Sequence, residues 1–443
     1  MTARLSNWIN KRRSNTRIAF RSYLWPALTV LAFFLQLISP SRIWMSLVVI
    51  MGGGWLIATL WAHSLLYNLH ATRELRYGWA QVGDRLEERF SLVNQGWAPA
   101  PWIEIRDHST LPDYPVSRIA SIGYLTSERW LIESICTRRG LYTLGPTTLR
   151  TADPLGIYTV YHYLPQSTVL MVMPPIVPLP TIQIAPAGRA GEGRQSRPDA
   201  LERTVSTTST RPFQPGDHPK WIHWPISARH DDLYVRVFDN TPTSDWWILL
   251  DLDKNVQVGE SWDSTIEHGI ILAASLADRG LRMGNSVGLG THGEKLVWLP
   301  PQRNSLQRMD ILRSLAIVNP GIHPLSELLR LTRNTIRRGA SLVIITPSFE
   351  GTWLPTLLSL LKTGISPTLL LFEPASFGGS GSLARVSAQL TNYGIFHQNV
   401  TRDLLDTPEA HPGQQGGWEW RFLKDGRAIP LRRPIDLRWR HLS

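Results

Sequence analysis

Two windows free of charged side chains, Ser22 to Ser41 and Ile43 to Thr72, follow one another with only Arg42 between them. They constrain the fold more than anything else in the chain. A bilayer asks for about 20 apolar residues per helical crossing and leaves backbone amides no partner outside a helix or a closed barrel. Ser39-Pro40-Ser41 carries turn chemistry between the windows, so a transmembrane helical hairpin is predicted over 22–72. The first segment, Leu24 to Ile38, is short, with Pro26 near its start, where a helix tolerates proline. The second, Ile43 to Leu66, carries Gly52-Gly53-Gly54 at its middle, a smooth surface for a partner helix. Ahead of them, residues 1–21 form a basic arm with Arg4, Lys11, Arg12, Arg13, Arg17 and Arg21 and no acidic residue. Arg73 and Arg76 flank the other outer end, while the tip has Arg42 alone. The positive-inside rule then predicts a multi-pass plasma-membrane protein whose soluble domains face the cytoplasm. A secretory signal ending near Ser39 would place everything downstream outside; the second apolar segment argues against it.

The 443 residues suffice for two or three domains, and a formal net charge of +11 raises nucleic acid as a partner. The placement of the N-terminal charge directly before apolar sequence fits anionic lipid headgroups instead, so the bilayer is expected as a partner and no specific nucleic acid is. The single cysteine, Cys136, excludes an intrachain disulfide and any zinc site with two thiolates. It lies in the strand-like run Trp130 to Cys136 and reads as a packed core thiol.

Residues 77–185 hold short alternating runs, such as Leu86 to Val93 and Trp102 to Arg106, separated by turn clusters such as Leu111-Pro-Asp-Tyr-Pro115. This pattern predicts a β-sandwich-like domain. A Gly-, Pro- and Ser-rich linker is expected at 186–210. From 240 to 410, apolar strands at 246–250, 286–290, 342–346 and 368–372 alternate with helical patterns, which predicts a doubly wound α/β domain. Residues 411–443 read as a late strand and basic tail, so the whole is of mixed class.

Between linker and α/β domain lies the densest run of fixed-geometry residues, 211–239. Pro215-Gly216-Asp217 is turn chemistry, Trp221 and Trp224 sit one helical turn apart, and Leu233 to Phe238 alternates as a strand. Arg211, Gly216, Asp217, Ile222, Trp224, Ala228 and Arg229 resemble the signature of the bacterial family called domain of unknown function 58, with Phe213 where the family usually has Tyr. A second block, Arg139-Gly140 to Gly145-Pro146 followed by Asp153-Pro-Leu-Gly156, resembles that family too. Arg211, Asp217 and Arg229 are expected to latch the segment through charged hydrogen bonds, and Asp153 to stabilise a chain reversal.

The apolar strand Trp246 to Leu250 ends in Asp251-Leu-Asp253-Lys-Asn255, and in parallel α/β folds ligands meet the carboxyl ends of strands. The resemblance implies a von Willebrand factor A-like domain, in which an Asp-x-Ser-x-Ser loop holds a divalent cation. Here Asp253 and Asn255 replace the serines, and Pro347-Ser348 stands where a later Asp is expected. Asp251, Asp253 and Asn255 remain hard oxygen donors suited to Mg²⁺ or Ca²⁺; no other cofactor is expected. The Asp251-x-Asp253 spacing, with Thr346 after an apolar strand in the place of a second motif, also resembles the haloacid-dehalogenase-type phosphatases, which would make the chain a metal-dependent phosphatase or hydrolase, but the later acidic cluster of those enzymes is lacking. No Gly-x-x-x-x-Gly-Lys loop occurs, and no His pairs with a Ser in a nucleophile-elbow context to make a hydrolytic triad. The leading expectation is a membrane-anchored binding or scaffold protein, more a docking module than an enzyme. The resemblance implies a MoxR-class AAA ATPase as partner, with Asp251 and Asp253 marking the docking face.

Overall fold

A computed structural model describes residues 15–177, 179, 182, 184–185, 207–214, 222–230, 232–238, 245–333, 335–336, 339–404, 419–422, 428–432 and 440–441. The chain divides into two compact units: Met1–Pro175 with Leu315–Ile317 and His411–Ser443, and Ile176–Ser314 with Val318–Ala410.

The first unit begins with β1 (Thr16–Phe20), α1 (Leu24–Ile38) and α2 (Arg42–Asn68). Ser41 starts α2 by accepting a hydrogen bond from the Trp44 amide at 3.3 Å. The Trp25 indole donates to the Met51 carbonyl at 3.0 Å, and the same ring lies against α2 beside Gly54. Among the described residues α2 is the one helix long and apolar enough to cross a membrane. The 15 residues of α1 reach only about 22 Å, short of a hydrocarbon core of about 30 Å. Leu31, Phe34 and Leu37 of α1, with Ile43, Val49, Ile50 and Leu56 of α2, are each more than half exposed.

The rest of this unit is β-rich: β2 (Leu69–Leu75), β3 (Trp79–Gln81), β4 (Arg85–Asn94), β5 (Ala100–Asp107), β6 (Arg118–Ile122), β7 (Thr126–Ile135), β8 (Gly140–Leu144), β9 (Thr147–Ala152), β10 (Tyr158–Leu164) and β11 (Thr168–Met173). A five-stranded sheet runs β1-β10-β9-β5-β6, a three-stranded one β3-β11-β8, and a four-stranded one has the order C-terminal strand-β2-β4-β7. Inward residues of β4 (Phe90, Leu92), β5 (Ile103, Ile105), β9 (Leu149) and β10 (Val160) share one buried cluster with Ala58, Ala62 and Leu65 of α2. The small alanines let the helix end lie close to strands, and Trp55 and Thr59 both bond the Tyr158 hydroxyl, at 2.9 and 3.1 Å. Cys136 is a buried free thiol whose pKa burial pushes up to about 12.

The second unit holds β12 (Thr207–Pro212), α3 (Trp224–His230), β13 (Tyr234–Phe238), β14 (Asp245–Leu250), α4 (Thr265–Arg282), β15 (Ser286–His292), β16 (Leu296–Gln302), α5 (Ser305–Ile317, apart from its last three residues), α6 (Leu325–Thr332), β17 (Ser341–Thr346), α7 (Leu354–Leu361), β18 (Ser366–Phe372), α8 (Ala384–Asn392) and β19 (Phe396–Val400). Its six-stranded sheet has the order β16-β15-β14-β17-β18-β19. All pairs are parallel except β15 with β16. Both faces are covered, as the continuous apolar strands require. Trp247, Leu249, Leu342, Ile344, Leu369 and Leu371 join the buried side chains of α6, α7 and α8 in one cluster. On the opposite face α4 lies so close that a Cβ at Gly269 would meet Leu250 at 3.0 Å, and one at Gly280 would meet Trp246 at 2.7 Å. The C-terminal segment adds the pair β20 (Glu419–Phe422) and β21 (Ala428–Arg432), and β22 (Arg440–His441), which extends the four-stranded sheet beside β2.

The structure moves several boundaries. Residues Thr16–Phe20 of the expected basic arm are a strand, antiparallel to β10, because Ile18 alternates inward and packs on the core. The charge-free window outlasts its helix: α2 ends at Asn68, and 69–72 already pair with β4. Arg73 and Arg76, read as the inner membrane flank, are paired with Glu88, Asp107 and Glu87. Residues 176–185, expected in the first β-domain, belong to the second unit, where the Val177 amide donates to Ser275 Oγ and the Ala185 amide to Thr368 Oγ1. Thr207–Thr210, expected at the end of the linker, are strand.

Candidate functional site

The sheet order reverses between β14 and β17. The chain leaves β14, builds β15 and β16 on one side, then crosses to build β17, β18 and β19 on the other. The crevice at such a reversal, outside the strands' carboxyl ends, is where open α/β sheets place ligands. Asp251 follows β14 there, and Thr346 ends β17 beside it, since Leu250 is in register with Ile345.

The two meet directly. Thr346 Oγ1 donates to Asp251 Oδ2 at 2.6 Å, Asp251 Oδ1 accepts from the Asp253 amide at 3.1 Å, and Thr346 Oγ1 accepts from the Ser348 amide at 3.0 Å. Asp253 Oδ1 in turn accepts from the backbone amide and the side-chain nitrogen of Asn255, at 3.0 and 2.8 Å. The Gln257 side chain donates to the Asp251 carbonyl at 2.9 Å and accepts from Thr265 Oγ1 at 2.7 Å. Main-chain bonds from Gly321 to Leu252 and from Lys254 to Gly321 fasten the loop to the segment before α6. Asp251 and Asp253 are buried, whereas Lys254 and Asn255 are exposed and Trp262 is 38% exposed. Burial pushes the Asp251 carboxyl up to about 6, against the opposing pull of its bonds from Thr346 and the Asp253 amide.

Asp251, Asp253 and Asn255, the oxygen donors that the resemblance implies for a cation, bond within the loop and to Thr346: Thr346 donates to Asp251 and the Asn255 side-chain nitrogen to Asp253. Each Asp251 oxygen accepts one hydrogen bond and keeps a further lone pair. The carboxylates shape the strand-end loop, and its surface is made by their exposed neighbours.

The signature segment is a local clasp. The strands β12 and β13 pair antiparallel with Arg211 opposite Val235. Between them the His223 amide donates to the Tyr234 carbonyl at 2.7 Å, and the Tyr234 amide to Ser227 Oγ at 2.9 Å. Ring nitrogen Nδ1 of His223 accepts from the Ile226 amide at 3.3 Å, in the first turn of α3. Ile222 and Val235 are buried, while Trp224 and Arg229 are exposed. Gly216, Asp217 and the side chain of Arg211 lie outside the described residues. In the first unit, Asp153 is buried and accepts from the amides of Leu155, Ile157 and Tyr158, which closes the turn ahead of β10.

Sequence reasoning missed a second cluster at the same sheet edge. His292, the last residue of β15, stacks on His323 with ring centroids 3.6 Å apart and 7° between planes. Glu327, in the first turn of α6, places Oε2 3.0 Å from His323 Nδ1 and Oε1 3.9 Å from His292 Nδ1. The His-x-x-x-Glu spacing at 323 and 327, together with a His closing a neighbouring strand, was the available signal.

Residues 209–362 match the family model described as "Protein of unknown function DUF58". The resemblance read from Arg211 to Arg229 is thereby shown. The chain is similar to the uncharacterized protein YeaD of Bacillus subtilis (strain 168), at 23% identity over 301 residues, covering 65% of this chain and 73% of that protein. Among solved structures it is similar to an aerotolerance-related membrane protein from Bacteroides fragilis, at 17% identity and a TM-score of 0.24, covering 43% and 81% of the two chains. A von Willebrand factor type A protein from Catenulispora acidiphila gives 9% identity and a TM-score of 0.25, covering 39% and 42%. Likeness at these scores is slight, and the architecture stands on the sheet order itself.

Proposed function

We propose that this chain is a membrane-anchored protein-binding scaffold whose von Willebrand factor A-like unit docks a partner at the carboxyl edge of its sheet. The observation that carries this reading is the closure of the strand-end carboxylates. Asp251 and Asp253 are held by Thr346, Asn255 and backbone amides; Lys254 and Asn255 stand exposed beside them, and Trp262 is exposed farther along the same connection to α4. An edge so arranged offers surface and shape. The partner class we assign is a MoxR-class AAA ATPase, as the family resemblance implies. The competing reading, a metal-dependent phosphatase or hydrolase acting through Asp251 and Asp253, is disfavoured because the later strand end, Phe372-Glu373-Pro374, lacks the acidic cluster that would hold its cation.

The anchor we assign is a membrane hairpin in which α2 spans the bilayer and the shorter α1 inserts beside it, and we read the β-rich region that follows as a β-sandwich. The exposed apolar side chains of the two helices support the anchor, and the basic residues before Ser22 support a cytoplasmic side for both ends and the soluble parts. A reporter active only after export, fused after Thr72, should stay silent; activity would reverse the orientation. For the enzyme reading, the full chain in detergent should show no metal-dependent turnover of phosphate esters. Turnover lost in Asp251→Asn would replace the scaffold reading with the hydrolase.

A further inference from the structure

Backbone packing, more than side-chain attraction, brings His292 and His323 together. A Cβ at Gly293 would lie 1.9 Å from the Asn319 carbonyl oxygen, and one at Gly321 would lie 2.2 Å from the Gly293 carbonyl oxygen. Only glycine permits this approach at either position, and the Glu294 amide bonds the Asn319 carbonyl at 3.1 Å across it. The segment before α6 is thus pressed against the end of β15, with one imidazole delivered from each side.

What results is a set of donors with unspent capacity. Nδ1 of His292 is shut off from solvent and makes no hydrogen bond, an arrangement that is ordinarily destabilising. Both oxygens of Glu327 face a ring nitrogen. One ligand atom from each of the three residues lies within 4.8 Å of the others. A tetrahedral cation with bonds of about 2.0–2.2 Å needs its ligands roughly 3.3 Å apart, so binding requires the side chains to close by about an ångström and the rings to tilt out of parallel. His323 and Glu327, with side chains 33% and 45% exposed, have the freedom to do so.

We propose that His292, His323 and Glu327 form a binding site for a divalent transition cation, with zinc the best match and the fourth position open to water. Two imidazoles and a carboxylate are a borderline-soft set that suits Zn²⁺ over Mg²⁺ or Ca²⁺. The bound cation would tie the start of α6 to the end of β15, at the edge where the strand-end loop is fastened. The site is independent of the scaffold reading and of the Asp251 cluster.

The test is titration of the full chain in detergent with Zn²⁺, and with Co²⁺ as a visible reporter of a four- or five-coordinate site. One equivalent should bind, with Co²⁺ absorption displaced by zinc. His323→Ala and the near-isosteric Glu327→Gln should each weaken binding by more than the roughly 10- to 100-fold that loss of an outer-shell partner costs, with circular dichroism unchanged. The pair Asp251→Asn with Asp253→Asn should leave the titration as it was. Absence of saturable zinc binding, or binding that survives His323→Ala and Glu327→Gln but is lost in the Asp pair, would overturn the assignment.

Discussion

Each unit buries a pair of carboxylates, and the two pairs are neutralised in opposite ways. In the first unit Arg73 of β2 forms a two-pronged bond to Glu88 of β4 and also reaches Asp107 and Thr147 of β5 and β9, while Tyr114 donates to Glu88. Burial alone would lower the Arg73 pKa, but the bond and charge of Glu88, with Asp107, hold it above its ordinary value. Burial and Glu88 raise Tyr114. The result is a bolt between strands of two sheets, with one guanidinium shared by two carboxylates. In the second unit Asp251 has only a hydroxyl and an amide, and its pKa stands near 6. A cation on hand makes a buried acid cluster a fixed part of the fold; neutral donors leave it sensitive to pH and to what docks beside it.

The sharpest way to break this contrast is to remove the cation. Arg73→Met leaves Glu88 and Asp107 buried and unpaired, and should cost the first unit about 3–5 kcal/mol in denaturant unfolding. A loss below about 1 kcal/mol would mean the bolt is ornamental. Next in size is the pH dependence of the second unit. Between pH near 4 and 6 the unfolded chain releases the Asp251 proton before the folded one does. Stability is therefore fully present below the ordinary carboxyl value of 3.8 and is lost as pH rises through about 6, by roughly 3 kcal/mol in all. Asp251→Asn should abolish that slope in unfolding measured across this range; an unchanged slope would assign it elsewhere. Smaller again, Thr346→Val strips Asp251 Oδ2 of its donor. It should cost about 1–3 kcal/mol and move the midpoint of the slope to higher pH, because the Thr346 bond opposes the upward shift.

The same pair of regions shows what the sequence made legible. Asp251 stood out because an apolar strand, Trp246 to Leu250, runs straight into acidic residues. Its partner Thr346 is 95 residues away, and only the register of β14 with β17 brings the two together. Arg73 was read by its charge beside an apolar window; its burial depends on strands from four separate places in the chain, which no local pattern encodes. The strands β1 and β22 went unseen because five and two residues carry too little alternation to register. Thr346 was named beside Asp251 only through the phosphatase resemblance, whereas the imidazole pair was hidden, because His292 and His323 meet through two glycines whose role appears only when the backbones touch.

The claim at the centre of this account is that the carboxyl edge around Asp251 binds a protein. Crosslinking in native membranes with the full chain, comparing wild type with the exposed-edge variants Lys254→Glu and Trp262→Ala, tests it most directly. The account predicts an AAA ATPase crosslinked to the wild type and recovered about tenfold less with the variants, as expected when an anchoring side chain worth roughly 1.4 kcal/mol is removed. Equal recovery from wild type and both variants would contradict it.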